Sequence, residues 1–206
     1  METTSTEPQT ASTLDDRDQV LDAALTAFLD FGIRRTSMGE IARRAGISPA
    51  TLYRRYAQKS DVVMAVGLRE AQRELSYVDH KVDPAAPPLE QLVQLYSAVS
   101  HRLRSNKLLQ RVLATEPETV LPRLTLEAGP LLEIGRGYLG TFLTRLQDDG
   151  HLPAYDIAPV VDWLVRVTQS EILTPATTPL TEAETQAFVR DHFAPFIRLP
   201  IDEGTR

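Results

Sequence analysis

Between Ser48 and Lys59 the chain gathers Thr51, Tyr53, Arg54, Arg55 and Lys59, which carry two hydroxyls, two guanidiniums and an ammonium. Groups of this kind donate to phosphate oxygens and to the edges of nucleobases. They do not make a nucleophile with its base. The rest of the chain adds no catalytic constellation: there is no Gly-rich phosphate loop, nucleophile elbow or paired-carboxylate motif. His80, His101, His151 and His192 lie far apart, without ligand-type spacing, and cysteine is absent, so neither a metal nor another cofactor is expected and enzyme activity is not supported.

The elements that must position this basic cluster can be read from their punctuation. Ser37 and Glu40 have the S-x-x-E spacing of a capping box and open one short helix, which Gly46 ends. Ser48 followed by Pro49 opens a second, with Ser as N-cap and Pro at the first helical position. Ala42 is small where two crossing helices approach, and Ile41, Ala45, Ile47 and Leu52 are spaced to bury the inside corner. Thr51, Tyr53, Arg54 and Arg55 are then left on the outer side of the second helix. The spacing predicts a helix-turn-helix at about 37–57.

Upstream, Val20, Leu21, Ala24, Leu25, Ala27, Phe28 and Phe31 recur at helical intervals, predicting a helix from Asp16 that Gly32 stops. Residues 1–13, rich in Thr, Ser, Glu and Pro, are expected to be a disordered tail. A fourth helix is expected over about Ser60–Val78, and Val82–Pro88 reads as a linker. Further helices are expected at about 89–104, 107–115, 118–124, 128–148, 156–173 and 181–198, the last opened by the capping box Thr181-x-x-Glu184. Sustained period-two alternation is absent, so the fold class is all-α. The expected domains are 14–64 and 65–206.

The net charge of −6 would ordinarily disfavour a nucleic-acid partner, but its distribution reverses that impression. Residues 17–59 hold eight basic residues (Arg17, Arg34, Arg35, Arg43, Arg44, Arg54, Arg55 and Lys59) against four acidic ones, while the remainder is acidic. A basic head on an acidic body suits docking of one end onto phosphates. The polar, acidic N-terminus resembles no signal or transit peptide, and no apolar run approaches membrane-helix length, so no membrane contact and a cytoplasmic location are expected.

Residues 17–64 resemble the DNA-binding domain of TetR-type (tetracycline-repressor-like) regulators. The resemblance is carried by Val20-Leu-Asp-Ala-Ala-Leu-x-x-Phe28-x-x-x-Gly32, by Thr36-Ser37, by Ile41-Ala42-x-x-Ala45-Gly46-Ile47-Ser48 and by Thr51-Leu52-Tyr53-x-x-Tyr56-x-x-Lys59. It implies an N-terminal three-helix DNA-binding domain and a C-terminal helical domain for dimerisation and ligand, assembled as an Ω-shaped homodimer on the double-stranded DNA of a palindromic operator. By that resemblance Ser48 caps the recognition helix, and Pro49, Ala50 and Thr51 face bases. Tyr53, Arg54 and Lys59 hold phosphates, and Thr36 and Ser37 add backbone contacts. Arg44 joins the expected DNA-binding set. Pro49 stands where relatives often carry a polar or basic side chain, Arg55 replaces a commoner histidine or aromatic, and Tyr56 replaces a usual Phe.

For the C-terminal half, Leu95, Tyr96, Val99, Leu103, Tyr138, Phe142 and Trp163 are the expected lining of a pocket for an unidentified small apolar or amphipathic effector. Val161, Leu164, Val165, Thr168, Phe188, Phe193 and Phe196 are the expected dimer interface, a four-helix arrangement formed by the last two long helices of each subunit. Trp163 is also compatible with the interface. Arg166, Thr168 and Glu171 suit either a ligand anchor or an interface ion pair. The leading expectation is a ligand-responsive repressor. The alternatives are an activator of the same fold, or a helical small-molecule-binding or enzymatic protein whose helix-turn-helix is fortuitous.

Overall fold

A computed structural model describes residues 9–174, 178 and 180–199, and every regular element among them is helical. The helices are α1 (Gln9–Phe31), α2 (Met38–Arg44), α3 (Pro49–Arg55), α4 (Lys59–Asp79), α5 (Pro88–Ser105), α6 (Lys107–Thr115), α7 (Pro117–Leu124), α8 (Gly129–Asp148), α9 (Ile157–Leu173), α10 (Glu182–Phe188) and α11 (Ala194–Phe196). Helix α1 opens at Gln9, ahead of the expected Asp16, so residues 9–13 are helical where a tail was expected. Pro8 is the last proline before Pro49, so no residue between Gln9 and Asp16 lacks the amide a helix requires. Residues 1–8 of the expected tail lie outside the described residues.

The chain forms two compact units: Met1–Gly67 with Arg111–Leu121, and Leu68–Gln110 with Pro122–Arg206. The expected contiguous boundary at residue 64 therefore misses a segment. Arg111–Leu121, about fifty residues past the helix-turn-helix, belongs with the N-terminal unit.

In that unit α1 packs on α2 and α2 on α3. Val20, Ala24, Ala27, Phe28, Ile41, Ala42, Leu52, Val62 and Val66 are almost wholly buried. Each large apolar side chain of this set contributes about 1.5–3 kcal/mol. The second unit has its own core, in which Leu92, Leu95, Phe142, Leu143, Leu146, Val161, Leu164, Val165, Val189 and Ile197 are packed together.

The final expected helix is interrupted. After α10, residues Val189–Phe193 form a π-helical turn, with the Ala194 amide donating to the Val189 carbonyl. Pro195 supplies the reason. It has no amide to donate, and in a regular α-helix its ring would press on the Asp191 carbonyl, so the chain widens one turn before it. The start of α10 is a complete capping box: Thr181 Oγ1 accepts from the Glu184 amide, and Glu184 Oε2 accepts from the Thr181 amide at 2.8 Å. These bonds hold the Glu184 carboxyl below its ordinary range.

Candidate nucleic-acid interface

The interface is built on two seven-residue helices. Ser37, in extended conformation, caps α2 by accepting from the Glu40 amide at 3.1 Å. Only this half of the expected capping box forms, because the Glu40 carboxylate turns instead to Arg43 and Arg44. Gly46 then takes φ +65°, and the Ile47 amide donates back to the Ala42 carbonyl, closing α2 and reversing the chain. Ser48 caps α3, its Oγ accepting from the Thr51 amide at 3.1 Å, and Pro49 occupies the first turn.

Helix α3 buries Leu52 completely and ends on buried Tyr56, whose amide donates to the Leu52 carbonyl. A single inward residue per turn anchors the helix, so its remaining faces stay uncovered. Pro49, Ala50, Tyr53, Arg54 and Arg55 are exposed, Tyr53 to 53%, and Thr51 is half-buried with its hydroxyl 2.9 Å from that of Ser48. More than half of Tyr53 is therefore left open to solvent. A short helix pinned from one side, capped at its N-terminus and showing aromatic and cationic groups outward, has the form of a probe for a nucleic-acid groove.

Residues 20–66 match the family described as bacterial regulatory proteins, tetR family. Residues 20–66 are thus a tetR-family helix-turn-helix domain. Among curated relatives, an HTH-type transcriptional regulator of Mycobacterium bovis is 28% identical over 154 residues, 75% of this chain and 78% of that protein. The HTH-type transcriptional repressor KstR2 of Mycolicibacterium smegmatis is 35% identical over 91 residues, 42% of this chain and 44% of that one. Among solved structures, the TetR family repressor AlkX from Dietzia is similar with TM-score 0.68 at 22% identity, covering 87% of this chain and 96% of that one. The R. erythropolis repressor QsdR also reaches 0.68, at 18% identity, covering 93% and 98%.

Within this domain the expected DNA-binding residues divide into two groups. Ser37, Ser48, Pro49, Ala50, Tyr53, Arg54 and Arg55 lie on the exposed surface of the N-terminal unit, with Thr51 at its edge. The other three expected residues are committed to the fold. Thr36 is only 1% exposed, and its hydroxyl donates to the Gly32 carbonyl at 2.7 Å and to the Ala27 carbonyl at 3.2 Å, so its side chain closes the end of α1. Lys59 turns inward as well. Its Nζ donates to three carbonyls, those of Ile33 at 2.8 Å, Arg34 at 3.0 Å and Thr36 at 3.0 Å, which spends all three ammonium protons. Arg44 pairs with Glu40 and Asp30 at 2.7 and 2.8 Å and lies over the Phe31 ring.

Two residues that hold this surface in place gave no signal in the sequence. Glu116, 7% exposed, accepts from the Arg34 amide at 2.8 Å. Arg111 donates to the Leu29 and Asp30 carbonyls at the C-terminus of α1, where a cation also meets the negative end of the helix dipole. Gly32, at φ +84°, leaves room for the Glu116 carboxylate: a Cβ there would stand 2.0 Å from Oε1. The turn 32–36 is thus gripped by Lys59 on its carbonyls and by Glu116 on an amide. Partners more than eighty residues apart cannot be paired from spacing alone.

In the C-terminal unit the expected pocket residues do not share one enclosed site. Leu95 is in the core, Tyr96 packs on Phe188 and Phe193, and Val99 packs against the core's edge. Leu103 is half-buried on α5. Trp163 is 50% exposed and stacks on Phe196 at 4.5 Å, while Tyr138 and Phe142 line an open groove. Of the expected interface residues, several are internal to the single chain. Val161, Leu164 and Val165 are core residues of the single chain, Thr168 bonds back to the Leu164 carbonyl, and Phe193 is half-buried. On α9, α10 and α11 the large apolar side chains left outward among the described residues are Trp163, Val167, Phe188 and Phe196. Arg166 pairs with Asp162 at 2.8 Å, as does Arg136 at 2.6 Å, and these two cations, Arg166 foremost, hold the Asp162 carboxyl below its ordinary range.

Proposed function

We propose that this regulator is a repressor that binds a palindromic operator as a homodimer and is released by a small amphipathic ligand. The observation that carries the reading is α3 itself, a rigidly capped helix whose Pro49, Ala50, Tyr53 and Arg54 face solvent. Tyr53 and the arginines suit phosphates and guanine edges. Pro49 and Ala50 suit thymine methyls, so part of the specificity rests on apolar contact and DNA shape.

One such helix reads too few base pairs for useful affinity at physiological salt, so two related by a dyad are needed, with half-site centres roughly 34–36 Å apart or a multiple of that. The exposed Trp163–Phe196 pair, with Val167 and Phe188 also outward on these helices, supports pairing of subunits through α9 and α10–α11, since large apolar groups in contact are seldom left in water. Repression is supported by the repressors KstR2, AlkX and QsdR among the similar proteins. The AlkX structure is described as implicated in biodegradation of n-alkanes. A ligand releases DNA only through a difference in its affinity for the DNA-competent and incompetent states.

Fluorescence anisotropy with DNA from upstream of the protein's own gene, over a range of salt, tests the reading. Tight binding with a steep salt slope and two chains per site is expected. Equal affinity for a shuffled duplex would sink it, and loss of target transcription on deleting the gene would make the protein an activator.

A further inference from the structure

The open groove between the end of α4 and the middle of α8 lies wholly in the C-terminal unit and has a volume of about 420 Å³, within the roughly 300–1,000 Å³ of small-molecule sites. Leu75, Ser76 and Asp79 form one wall, and Tyr138, Phe142 and Arg145 the other. Arg145 is its unusual member. Arg102 pairs with Glu74, and Arg136 and Arg166 pair with Asp162, but Arg145 has no carboxylate partner among the described residues. It is nevertheless held firmly. One Nη donates to Gln91 Oε1 at 2.6 Å, and the guanidinium lies over the Phe142 ring at 5.2 Å. Gln91 is itself buried, and its amide nitrogen is fixed on the Ala86 carbonyl at 2.8 Å and the Pro84 carbonyl at 3.3 Å.

A half-buried guanidinium fixed by a buried glutamine, with most of its five donors unspent, is preorganised for an anion, and a flat fork suits a carboxylate best. The opposite wall sets polarity. Asp79 faces the Tyr138 hydroxyl, and burial first, then this neighbour, pushes the tyrosine up to about 12, so it remains a proton donor to the carboxylate. Asp79 is thereby engaged, and it repels an anion from that end of the groove.

Resting on the ligand-responsive reading above, we infer that the α4–α8 groove binds an amphipathic monocarboxylate, its carboxylate on Arg145 and its apolar body along Phe142 and Leu75. Titration calorimetry on the full chain without DNA tests this, with decanoate, decanol and decyltrimethylammonium as probes. Decanoate is expected to bind one per chain, and Arg145→Met to weaken it about tenfold or more. Decanol and the ammonium probe are expected to bind weakly or not at all, and Asp79→Asn to leave decanoate binding intact or tighter. Gly137→Leu, which fills the groove without touching Arg145, is expected to abolish binding in a chain of unchanged helicity. Equal affinity for decanol, stronger binding of the ammonium probe, or decanoate binding that survives Arg145→Met or Gly137→Leu would overturn the assignment. Adding decanoate to the operator complex separates the two readings: binding to the free chain without release of DNA keeps the site and removes its regulatory role.

Discussion

Helices α2 and α3 are the same length, and each ends in an arginine pair, Arg43–Arg44 and Arg54–Arg55, yet the surroundings of Arg43 and Arg44 differ from those of Arg54. Glu40 lies within α2 and Asp30 in the helix beneath it, so Arg43 and Arg44 fold back into ion pairs and help fix the helix. Helix α3 contains no acidic residue, and Arg54 stays on the exposed face with Tyr53. Basic character along a sequence therefore measures charge, not availability. Lys59 makes the same point: its ammonium is spent on the turn before α2. The comparison predicts two classes of variant. Changes around α2 and its turn lower stability, and changes on the face of α3 lower DNA affinity.

The largest effect is expected at Gly32. Gly32→Ala would force a side chain into the left-handed region and against the Glu116 carboxylate, costing about 2–4 kcal/mol in a denaturant titration. A loss below 0.5 kcal/mol would mean that the turn is not gripped as described. Lys59→Met is expected to cost about 1–3 kcal/mol by leaving three carbonyls without their donor, with the salt slope of DNA binding unchanged. If stability holds and the slope falls by about one, the lysine contacts a phosphate and belongs with α3 instead.

On the other side of the comparison, Tyr53→Ala and Arg54→Ala should each weaken operator binding by about 1–3 kcal/mol while stability stays within about 0.5 kcal/mol. Gel shifts alongside thermal melts would show it. Unchanged affinity for both would remove α3 as the reading helix.

The smallest effect concerns Glu40. Arg43 first, then Arg44, holds its carboxyl below the ordinary value of 4.5. Its folded-state value is thus depressed, so its contribution is fully present above the unfolded value and fades as pH falls through the folded one. Glu40→Gln should remove that fraction of the acid sensitivity below about pH 4.5 and leave neutral-pH DNA binding unaltered. A Glu40→Gln chain with the acid-unfolding curve of the parent would deny the ion pairs any weight.

Much of the N-terminal unit was legible because its signals are local. Ser37, Gly46, Ser48 and Pro49 each act within four residues along the chain, through caps, a positive φ and a fixed φ, so helix starts and the turn follow from spacing. The C-terminal unit was less legible. Val160, Val161, Leu164, Val165 and Val167 are equally apolar, and periodicity alone does not say which stripe meets the core of its own chain. Val161, Leu164 and Val165 went inward, leaving Trp163 and Val167 outside. The π turn is not legible in the sequence because Pro195 could equally end the helix.

The amino-acid sequence by itself determined an all-helical chain, a helix-turn-helix with its caps, and a basic face on α3, because these depend on dihedral preference and on neighbours within one or two turns. Tertiary structure alone decided which of the basic residues remain outward. The Asp30 carboxylate that takes Arg44, the carbonyls that consume Lys59 and Arg111, and the amide that Glu116 captures, are 14–82 residues away along the chain. Only folding brings such groups within hydrogen-bond reach, and an ionic side chain goes to the partner that compensates its lost hydration.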